Sequence, residues 1–177
     1  MRFALMTHGT RGDVQPLVAL GAELVRRGHT VELAAPESAM PLADRVGVRA
    51  VALPGDWQRF LRSAETDKSW VFSGDGGVQM AAIRDIMADY TAELAATLCG
   101  FSQGADVIVS GGLTEDVAAV IAEAYRVPLA LVHMYPVRPT GAVANPIMAP
   151  RSFERPEQNR QTHVQYKQQV WAARRDG

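Results

Sequence analysis

The residues with the clearest chemical potential form one short run near the start of the chain, Met6-Thr7-His8-Gly9-Thr10-Arg11-Gly12-Asp13. The run follows the apolar residues Phe3-Ala4-Leu5-Met6 and leads into a stretch of helical periodicity that begins near Val14. A glycine-containing turn and a carboxylate therefore stand where a first strand passes into a first helix. In open α/β sheets, this corner is where ligands and catalytic groups lie.

Asp13 allows two interpretations that do not exclude each other. Asp is among the commonest helix N-caps, so this carboxylate could accept backbone N–H bonds in the first helical turn, where Pro16 is tolerated. A carboxylate at a helix N-terminus is also favoured in its ionised form, which suits it to accept a proton from a bound hydroxyl. The residue types thus predict a helix cap, a general base, or both.

The turn before Asp13 offers groups that could bind an anion. Gly9, Thr10, Arg11 and Gly12 supply backbone N–H groups, a hydroxyl and a guanidinium beside the helix end, which suits a phosphate. An ordinary strand-to-helix turn explains the spacing equally well. The G-x-x-G spacing is not the G-x-G-x-x-G dinucleotide fingerprint, so NAD or FAD binding is not expected. The sequence also contains no P-loop and no G-x-S-x-G serine motif.

The elements that must position these groups follow from short apolar runs alternating with helical patterns. Strands are predicted near residues 3–6, 30–35, 48–53, 106–109 and 129–132. Each run is unbroken rather than alternating, which is typical of a parallel sheet covered on both faces. The sequence therefore predicts a Rossmann-like α/β fold, a parallel sheet with helices on both faces.

Two helical patterns lie outside this simple alternation. Apolar residues at three- and four-residue spacing predict one long helix from about Ile83 to Gly100. After a proline-punctuated segment, the polar residues 151–177 predict a tail with one amphipathic helix. Its apolar positions are Val164, Tyr166, Val170 and Trp171. We expect residues 1–150 to form one domain and residues 151–177 to form this helical tail.

Composition narrows the function classes. The 177 residues carry a net charge of −1, which gives no electrostatic case for nucleic acid or an anionic membrane. Without an apolar run of about eighteen residues or a secretory signal, we expect a cytoplasmic protein with no integral membrane segment. The single cysteine, Cys99, excludes an internal disulfide, and its neighbours Leu98 and Phe101 predict a buried, inert thiol.

The motifs around the first two predicted strands resemble those of a known family. The run Gly9-Thr10-Arg11-Gly12-Asp13-Val14-Gln15-Pro16-Leu17, followed by Arg26-Arg27-Gly28-His29-Thr30-Val31, is similar to the N-terminus of bacterial glycosyltransferases that decorate natural products and sterols. Those enzymes have the GT-B fold, of which this chain resembles one half. Similar residues continue through Asp106-Val107-Ile108-Val109 and Ala122-Glu123-Ala124-Tyr125-Arg126-Val127-Pro128 to about Pro150.

The resemblance implies transfer of a hexose from a nucleotide sugar to an acceptor hydroxyl, usually with inversion at the anomeric carbon. It implies that this N-terminal domain binds the small-molecule acceptor and that Asp13 is the general base. His8, which lies near the carboxyl end of the first predicted strand, is the second candidate for the base. Gly9, Thr10, Arg11 and Gly12 would line the donor phosphates. No metal and no resident cofactor are expected. The nucleotide sugar is a co-substrate, which we expect to bind through a C-terminal domain that is not in this chain.

Acceptor recognition is expected from irregular segments near the strand ends. The candidates are His8, Trp57, Phe60, Trp70, Phe72, Gly111, Thr114, His133 and Tyr135. The aromatic side chains could line a pocket for a flat apolar aglycone, although packing beneath long loops explains any one of them equally well. Thr114 is equally consistent with the cap of the next helix, and His8 and His133 with loop or core histidines.

Two functions remain open from the sequence. The favoured one is the N-terminal half of a glycosyltransferase, which alone would have negligible transfer activity because half of the catalytic cleft is missing. The alternative is a stand-alone acceptor-binding or accessory module without catalysis.

Overall fold

The structure is a computed structural model, and it describes residues 1–55, 69–73, 75–149 and 151–175. Its strands are β1 (Arg2–Met6), β2 (Thr30–Pro36), β3 (Arg49–Leu53), β4 (Val107–Ser110) and β5 (Leu129–Leu131). Its α-helices are α1 (Arg11–Arg26), α2 (Met40–Arg45), α3 (Gly76–Met87), α4 (Thr91–Ser102), α5 (Glu115–Tyr125) and α6 (Pro156–Arg175). Short 3-10 turns cover Glu37–Ala39, Ser69–Phe72, Ala88–Tyr90 and Gly112–Thr114.

The five strands form one parallel sheet in the order β3-β2-β1-β4-β5. Leu5 in the central strand is in register with Leu33 of β2 and Val109 of β4. This arrangement confirms the predicted Rossmann-like fold. From β1 the chain builds the sheet first toward β3 and then, through β4, in the opposite direction. The strand order therefore reverses between β1 and β4, whose carboxyl ends flank the switch point.

The core lies where α1 covers the first two strands. Leu5, Leu17 and Leu33 are fully buried and belong to one apolar cluster with Val18 and Val48. Such burial supplies the main stabilisation of the sheet. The same packing fixes the direction of α1, whose first turn carries the candidate site.

The described residues divide into two compact units. One lies within residues 1–64 and 90–134 and contains the sheet; the other lies within residues 65–89 and 135–177. In the second unit, α3 packs against α6, and Gln169 Nε2 donates to Asp75 Oδ2 over 3.4 Å. These units have limits other than the division at residue 150 expected from the sequence, and that division stays a prediction.

The single helix predicted to end at Gly100 is wrong. The structure has α3 and α4 instead, separated by the 3-10 turn Ala88–Tyr90. The break coincides with the passage of the chain from one compact unit to the other after Asp89. Apolar spacing continues through Ile86, Tyr90 and Leu94, so periodicity alone could not reveal the break.

The predicted tail helix is confirmed as α6, but two of its four predicted apolar positions, Val164 and Trp171, are exposed. Asn159, Thr162 and His163 are buried together with Val170, whereas Val164 is exposed and 68% of Trp171 is accessible. The helix therefore buries a largely polar face.

The buried polar face of α6 is explained by the irregular segment of residues 141–153. Asn159 Nδ2 donates to the Gly141 carbonyl over 2.8 Å, and Thr162 Oγ1 accepts the Asn145 N–H at 2.8 Å. His163 Nε2 lies 3.1 Å from the Val143 carbonyl. Backbone groups outside helices and strands need other hydrogen-bond partners, and these side chains supply them.

The prediction of a buried thiol at Cys99 is also wrong, because Cys99 is exposed. Its neighbours Leu98 and Phe101 are buried as expected. All three residues lie in α4, where successive residues are about 100° apart around the axis, so adjacent positions face different surroundings.

Replacing Leu5 with alanine tests the position of the core. We expect Leu5→Ala to lower the free energy of unfolding by about 2–5 kcal/mol, because it leaves a cavity at a fully buried position of the central strand. Urea denaturation followed by circular dichroism measures the change. Val120→Ala, at a residue 68% exposed on α5, is the matched control and should change stability by less than about 0.5 kcal/mol. Equal effects of the two substitutions would contradict this assignment of the core.

Candidate active site

The candidate site lies at the carboxyl ends of β1 and β4, where the strand order reverses. Beyond these ends, the Thr7 N–H donates to the Ala34 carbonyl at 3.0 Å and the Gly111 N–H donates to the Met6 carbonyl at 2.9 Å. These bonds continue the sheet by one residue and hold the two strand-to-helix turns side by side. Ligands of open α/β folds bind at this position of the sheet.

Asp13 does stabilise the start of α1, but not as the N-cap residue. Thr10 is the N-cap, with extended backbone angles, and Asp13 is the third helical residue. The Thr10 N–H donates to Asp13 Oδ2 at 2.8 Å, and the Thr10 hydroxyl donates to the same oxygen at 3.1 Å. A carboxylate at this position that binds the N-cap N–H forms one half of a capping box. Asp13 is therefore a capping side chain that acts from inside the helix.

The two oxygens of the Asp13 carboxylate have different surroundings. Oδ2 accepts both bonds from Thr10. Oδ1 has no hydrogen-bond partner among the residues that the structure describes, and the residue is half-buried. One oxygen thus holds the carboxylate in place, while the other can accept a proton or a hydrogen bond.

Gly9 provides the space for this carboxylate. Its φ of 115° lies in the region that side-chain-bearing residues rarely adopt. A Cβ atom at Gly9 would lie 2.5 Å from Asp13 Oδ2 and 3.1 Å from Leu113 Cδ1. The carboxylate therefore packs directly over the glycine backbone, and Leu113 forms an apolar wall beside it.

His8 is poorly placed to act as the second candidate base. The residue is 1% exposed. Its Nδ1 accepts the Gly9 N–H at 3.0 Å, which leaves the ring proton on Nε2 for donation to the Pro54 carbonyl at 2.8 Å. Both ring nitrogens are used, and the side chain joins the turn after β1 to the end of β3.

The predicted phosphate-binding turn has fewer available donors than its sequence offers. The Gly9 N–H binds His8 and the Thr10 N–H binds Asp13. Arg11 Nε donates to Gln15 Oε1 at 2.9 Å on the helix surface. Within the described part of the chain, the backbone N–H groups of Arg11 and Gly12 have no acceptor and stand at the exposed N-terminus of α1. An anion at this turn would bind these two groups.

Gly111 and Thr114 connect the carboxyl ends of β1 and β4 beneath the surface of the protein. Thr114 is the N-cap of α5 by position, but its hydroxyl donates to the Met6 carbonyl at 3.1 Å and lies 2.8 Å from Ser110 Oγ. A Cβ at Gly111 would lie 2.8 Å from Thr7 Oγ1. Both residues are buried, and their hydrogen bonds to the Met6 carbonyl join the ends of β1 and β4.

The turn after β4 carries Leu113, which belongs to the segment 110–114 expected to form a wall of the site, and leads to Glu115, which sequence reasoning missed. Leu113 is 37% exposed beside Gly9, and Glu115 begins α5. Glu115 Oε2 lies 3.5 Å from Nε2 of His133, a half-buried residue just beyond β5. An acid a few residues after a predicted strand was the available signal for Glu115, but an acid is not unusual at the start of a helix.

The remaining acceptor-binding candidates are five aromatic residues. Trp70 is half-buried and Tyr135 is exposed, and both belong to the second compact unit. Phe72 ends the 3-10 turn Ser69–Phe72, and its side chain is outside the description. Trp57 and Phe60 lie outside the described residues. Acceptor binding by these five aromatic residues stays a prediction.

The described residues contain neither a metal-binding cluster nor a membrane-spanning helix. No group of three or more His, Cys, Asp or Glu side chains in them is arranged to hold a metal ion. None of their helices has the length and hydrophobicity needed to cross a bilayer.

Alanine at Gly9 tests the close packing of Asp13. We expect Gly9→Ala to destabilise the chain by about 1–3 kcal/mol, because both the backbone angle and the Asp13 carboxylate oppose a Cβ. Gly28→Ala is the matched control, since Gly28 also has a positive φ but a Cβ there meets nothing within 4 Å. Urea denaturation gives both values.

A double-mutant cycle isolates the steric part of this effect. In an Asp13→Ala background, Gly9→Ala should cost less than in wild type, because the opposing carboxylate is gone and only the backbone angle and the contact with Leu113 remain. An unchanged cost would show that the carboxylate does not pack over Gly9.

Comparison with known proteins places this geometry in a family. Residues 3–143 match the glycosyltransferase family 28 N-terminal domain. An uncharacterized glycosyltransferase of Mycobacterium tuberculosis is 36% identical over 159 residues, which cover 88% of this chain and 37% of that protein. The O-mycaminosyltylonolide 6-deoxyallosyltransferase of Streptomyces fradiae is 38% identical over 114 residues, covering 64% of this chain and 27% of the enzyme.

A solved structure agrees with the fold. The crystal structure of the kitacinnamycin glycotransferase superposes with a TM-score of 0.58 and 22% identity, over 78% of this chain and 31% of that one. The present chain thus spans only about a third of the length of these proteins. Because the family match covers most of its residues, the chain belongs to the glycosyltransferase family 28 and has the N-terminal domain of that family.

Proposed function

We propose that this domain supplies the acceptor site and the general base of an inverting glycosyltransferase. The enzyme would move a hexose from a nucleotide sugar to a hydroxyl of a lipophilic acceptor, such as a natural-product aglycone or a sterol. The observation that carries the proposal is the Asp13 carboxylate, held by Thr10 through Oδ2 at the carboxyl edge of the sheet.

The chemistry requires a base at this point. A neutral alcohol is a poor nucleophile, and a positioned base typically contributes about 10²–10⁴-fold. The acceptor oxygen would attack the anomeric carbon while Asp13 Oδ1 takes the hydroxyl proton. The new C–O bond forms as the bond to the diphosphate oxygen breaks, with its electron pair leaving on the nucleotide diphosphate. Attack from the face opposite the leaving group inverts the anomeric configuration.

The surroundings of Asp13 suit this role. The N-terminus of α1 favours a negative charge there. The two bonds from Thr10 and the contact with Gly9 restrict the carboxylate, so little ordering is needed when the acceptor binds. Leu113, exposed and apolar beside it, offers a surface to the hydrocarbon part of an acceptor.

The donor would contact this domain only at its edge. The exposed N–H groups of Arg11 and Gly12 could bind one phosphate oxygen at the start of α1. Most of the nucleotide sugar would be bound by a C-terminal domain, in keeping with the greater length of the relatives. The proposal includes no metal ion and no resident cofactor. The cytoplasmic location expected from the sequence stays a prediction.

The acceptor class rests on one relative and one side chain. The Streptomyces fradiae enzyme is named for transfer to O-mycaminosyltylonolide, which supports a natural-product acceptor for a chain 38% identical to it over 114 residues. The apolar wall at Leu113 supports a lipophilic one.

A reconstitution experiment tests the proposed function. The chain is incubated with nucleotide hexoses and polyketide, glycopeptide or sterol aglycones, with and without the C-terminal part of the Streptomyces fradiae relative. Mass spectrometry should show a hexose increment only when both parts are present. Product from the chain alone would contradict the assignment of donor binding to a second domain. Calorimetry that finds no aglycone binding to the chain would contradict acceptor binding.

Asparagine at position 13 separates the two roles of the carboxylate. Asn keeps an amide oxygen for the Thr10 N–H but is a very weak base, so we expect Asp13→Asn to reduce turnover about 10²–10⁴-fold while stability changes by less than about 0.5 kcal/mol. Asp13→Ala should lose turnover and also about 0.5–2 kcal/mol of stability, because the cap is removed. Turnover assays of the reconstituted mixture and urea denaturation provide the two measurements. Full turnover in Asp13→Asn would leave Asp13 only a structural role.

A further inference from the structure

We propose that Glu115 and His133 form a second recognition point for the acceptor, at which His133 Nδ1 accepts a hydrogen bond from a hydroxyl other than the one that is glycosylated. This inference rests on the proposed function and deepens it, because it specifies an acceptor with at least two hydroxyl groups. The pair would act in binding and in the choice of hydroxyl rather than in proton transfer.

The two side chains meet because their strands are neighbours. Glu115 is the first residue of α5, shortly after β4, and His133 lies two residues beyond β5, which pairs with β4 in parallel. Glu115 Oε2 and His133 Nε2 are 3.5 Å apart, with the side chains 35% and 20% exposed. The pair is therefore sheltered but still open to a ligand at the carboxyl edge of the sheet.

The acid determines which nitrogen of His133 is available. In neutral histidine one ring nitrogen carries the proton and the other accepts hydrogen bonds. A carboxylate next to Nε2 favours the proton on Nε2, as in other acid–histidine pairs. Nδ1 then has a lone pair and no partner within the part of the chain that the structure describes. A hydroxyl group is the ligand chemistry that this nitrogen would accept.

The turn after β4 lies near both His133 Nδ1 and the Asp13 carboxylate. Nδ1 is the nearest atom to a Cβ built on Gly112, at 3.8 Å, so the space beside this glycine is open. The next residue, Leu113, reaches to 3.1 Å from a Cβ built on Gly9, which is where the Asp13 carboxylate packs. Gly112 thus lies beside His133, and the adjacent Leu113 lies beside the Asp13 carboxylate. An apolar acceptor lying on Leu113 could present one hydroxyl to each.

Binding measurements on the chain itself test the proposal. The probes are a sterol diol and its two mono-deoxy analogues, titrated by calorimetry. For wild type we expect either deletion of a hydroxyl to weaken binding about three- to tenfold, the usual effect of one neutral hydrogen bond. In His133→Ala, the analogue that lacks the hydroxyl bound at His133 should bind as tightly as the diol. The other analogue should still bind more weakly than the diol.

A matched control and a spectroscopic measurement exclude a merely structural effect. His29→Ala removes another half-buried histidine, which lies just before β2 against Phe3 with ring centroids 5.1 Å apart, and it should keep both discriminations. Imidazole ¹⁵N chemical shifts should show the proton of His133 on Nε2 in wild type and a mixed population in Glu115→Gln. That variant should also discriminate less than wild type.

The outcomes separate this proposal from the proposed function. Binding of all three compounds with the same discrimination in wild type and His133→Ala would overturn the role of His133 and leave acceptor binding intact. A wild-type His133 with its proton on Nδ1 would overturn the role of Glu115. Failure of the wild-type chain to bind any of these or other hydroxylated aglycones would overturn the proposed function, and the second recognition point with it.

Discussion

The candidate site depends on the contact between the Asp13 carboxylate and the turn formed by Gly9 and Thr10. Two donors of Thr10 bind one carboxylate oxygen, and the missing side chain of Gly9 leaves room for it. Helix α1 begins with N–H groups that need acceptors, and the turn after β1 must reverse into that helix. The Asp13 carboxylate accepts the N–H of the N-cap residue Thr10, but not those of Arg11 and Gly12, and it fits the turn because Gly9 has no side chain. The position of the base is therefore set by the same bonds that start the helix.

This arrangement works only because the sheet places a second turn next to the first. The reversal of strand order puts the ends of β1 and β4 side by side. The Gly111 N–H and the buried Thr114 hydroxyl, which lies against Ser110 Oγ, both bind the Met6 carbonyl and so join the two ends. These groups are buried and cannot contact a ligand. They hold in place the turn after β4, which carries Leu113 beside Gly9. The sheet edge consequently has two layers, a buried polar one that joins the strands and a more exposed one that carries Asp13, Leu113 and His133.

The strands and the candidate base could be predicted from the sequence. Other features could not, for physical reasons. Unbroken apolar runs predicted the five parallel strands, because strands buried on both faces tolerate few polar residues. The carboxylate was found because Asp13 follows a glycine turn at a strand end. The break at Ala88–Tyr90 and the polar face of α6 were missed, since the first leaves the apolar spacing intact and the second depends on backbone groups distant in sequence. The pairing of Glu115 with His133 likewise depends on which strands are neighbours.

The hydrogen bonds of Asp13 stabilise the start of α1 and also order the proposed base, so the two roles do not conflict. A base that was free at both oxygens would have to be ordered when the acceptor binds, at a cost in conformational entropy. A carboxylate whose lone pairs all accepted hydrogen bonds from the protein would have none left for the proton. With Oδ2 bound to Thr10 and Oδ1 without a partner among the described residues, the folding of α1 orders the base before any ligand arrives. For this reason the turn requires Asp at position 13, rather than any residue that can cap a helix, if the domain acts as proposed.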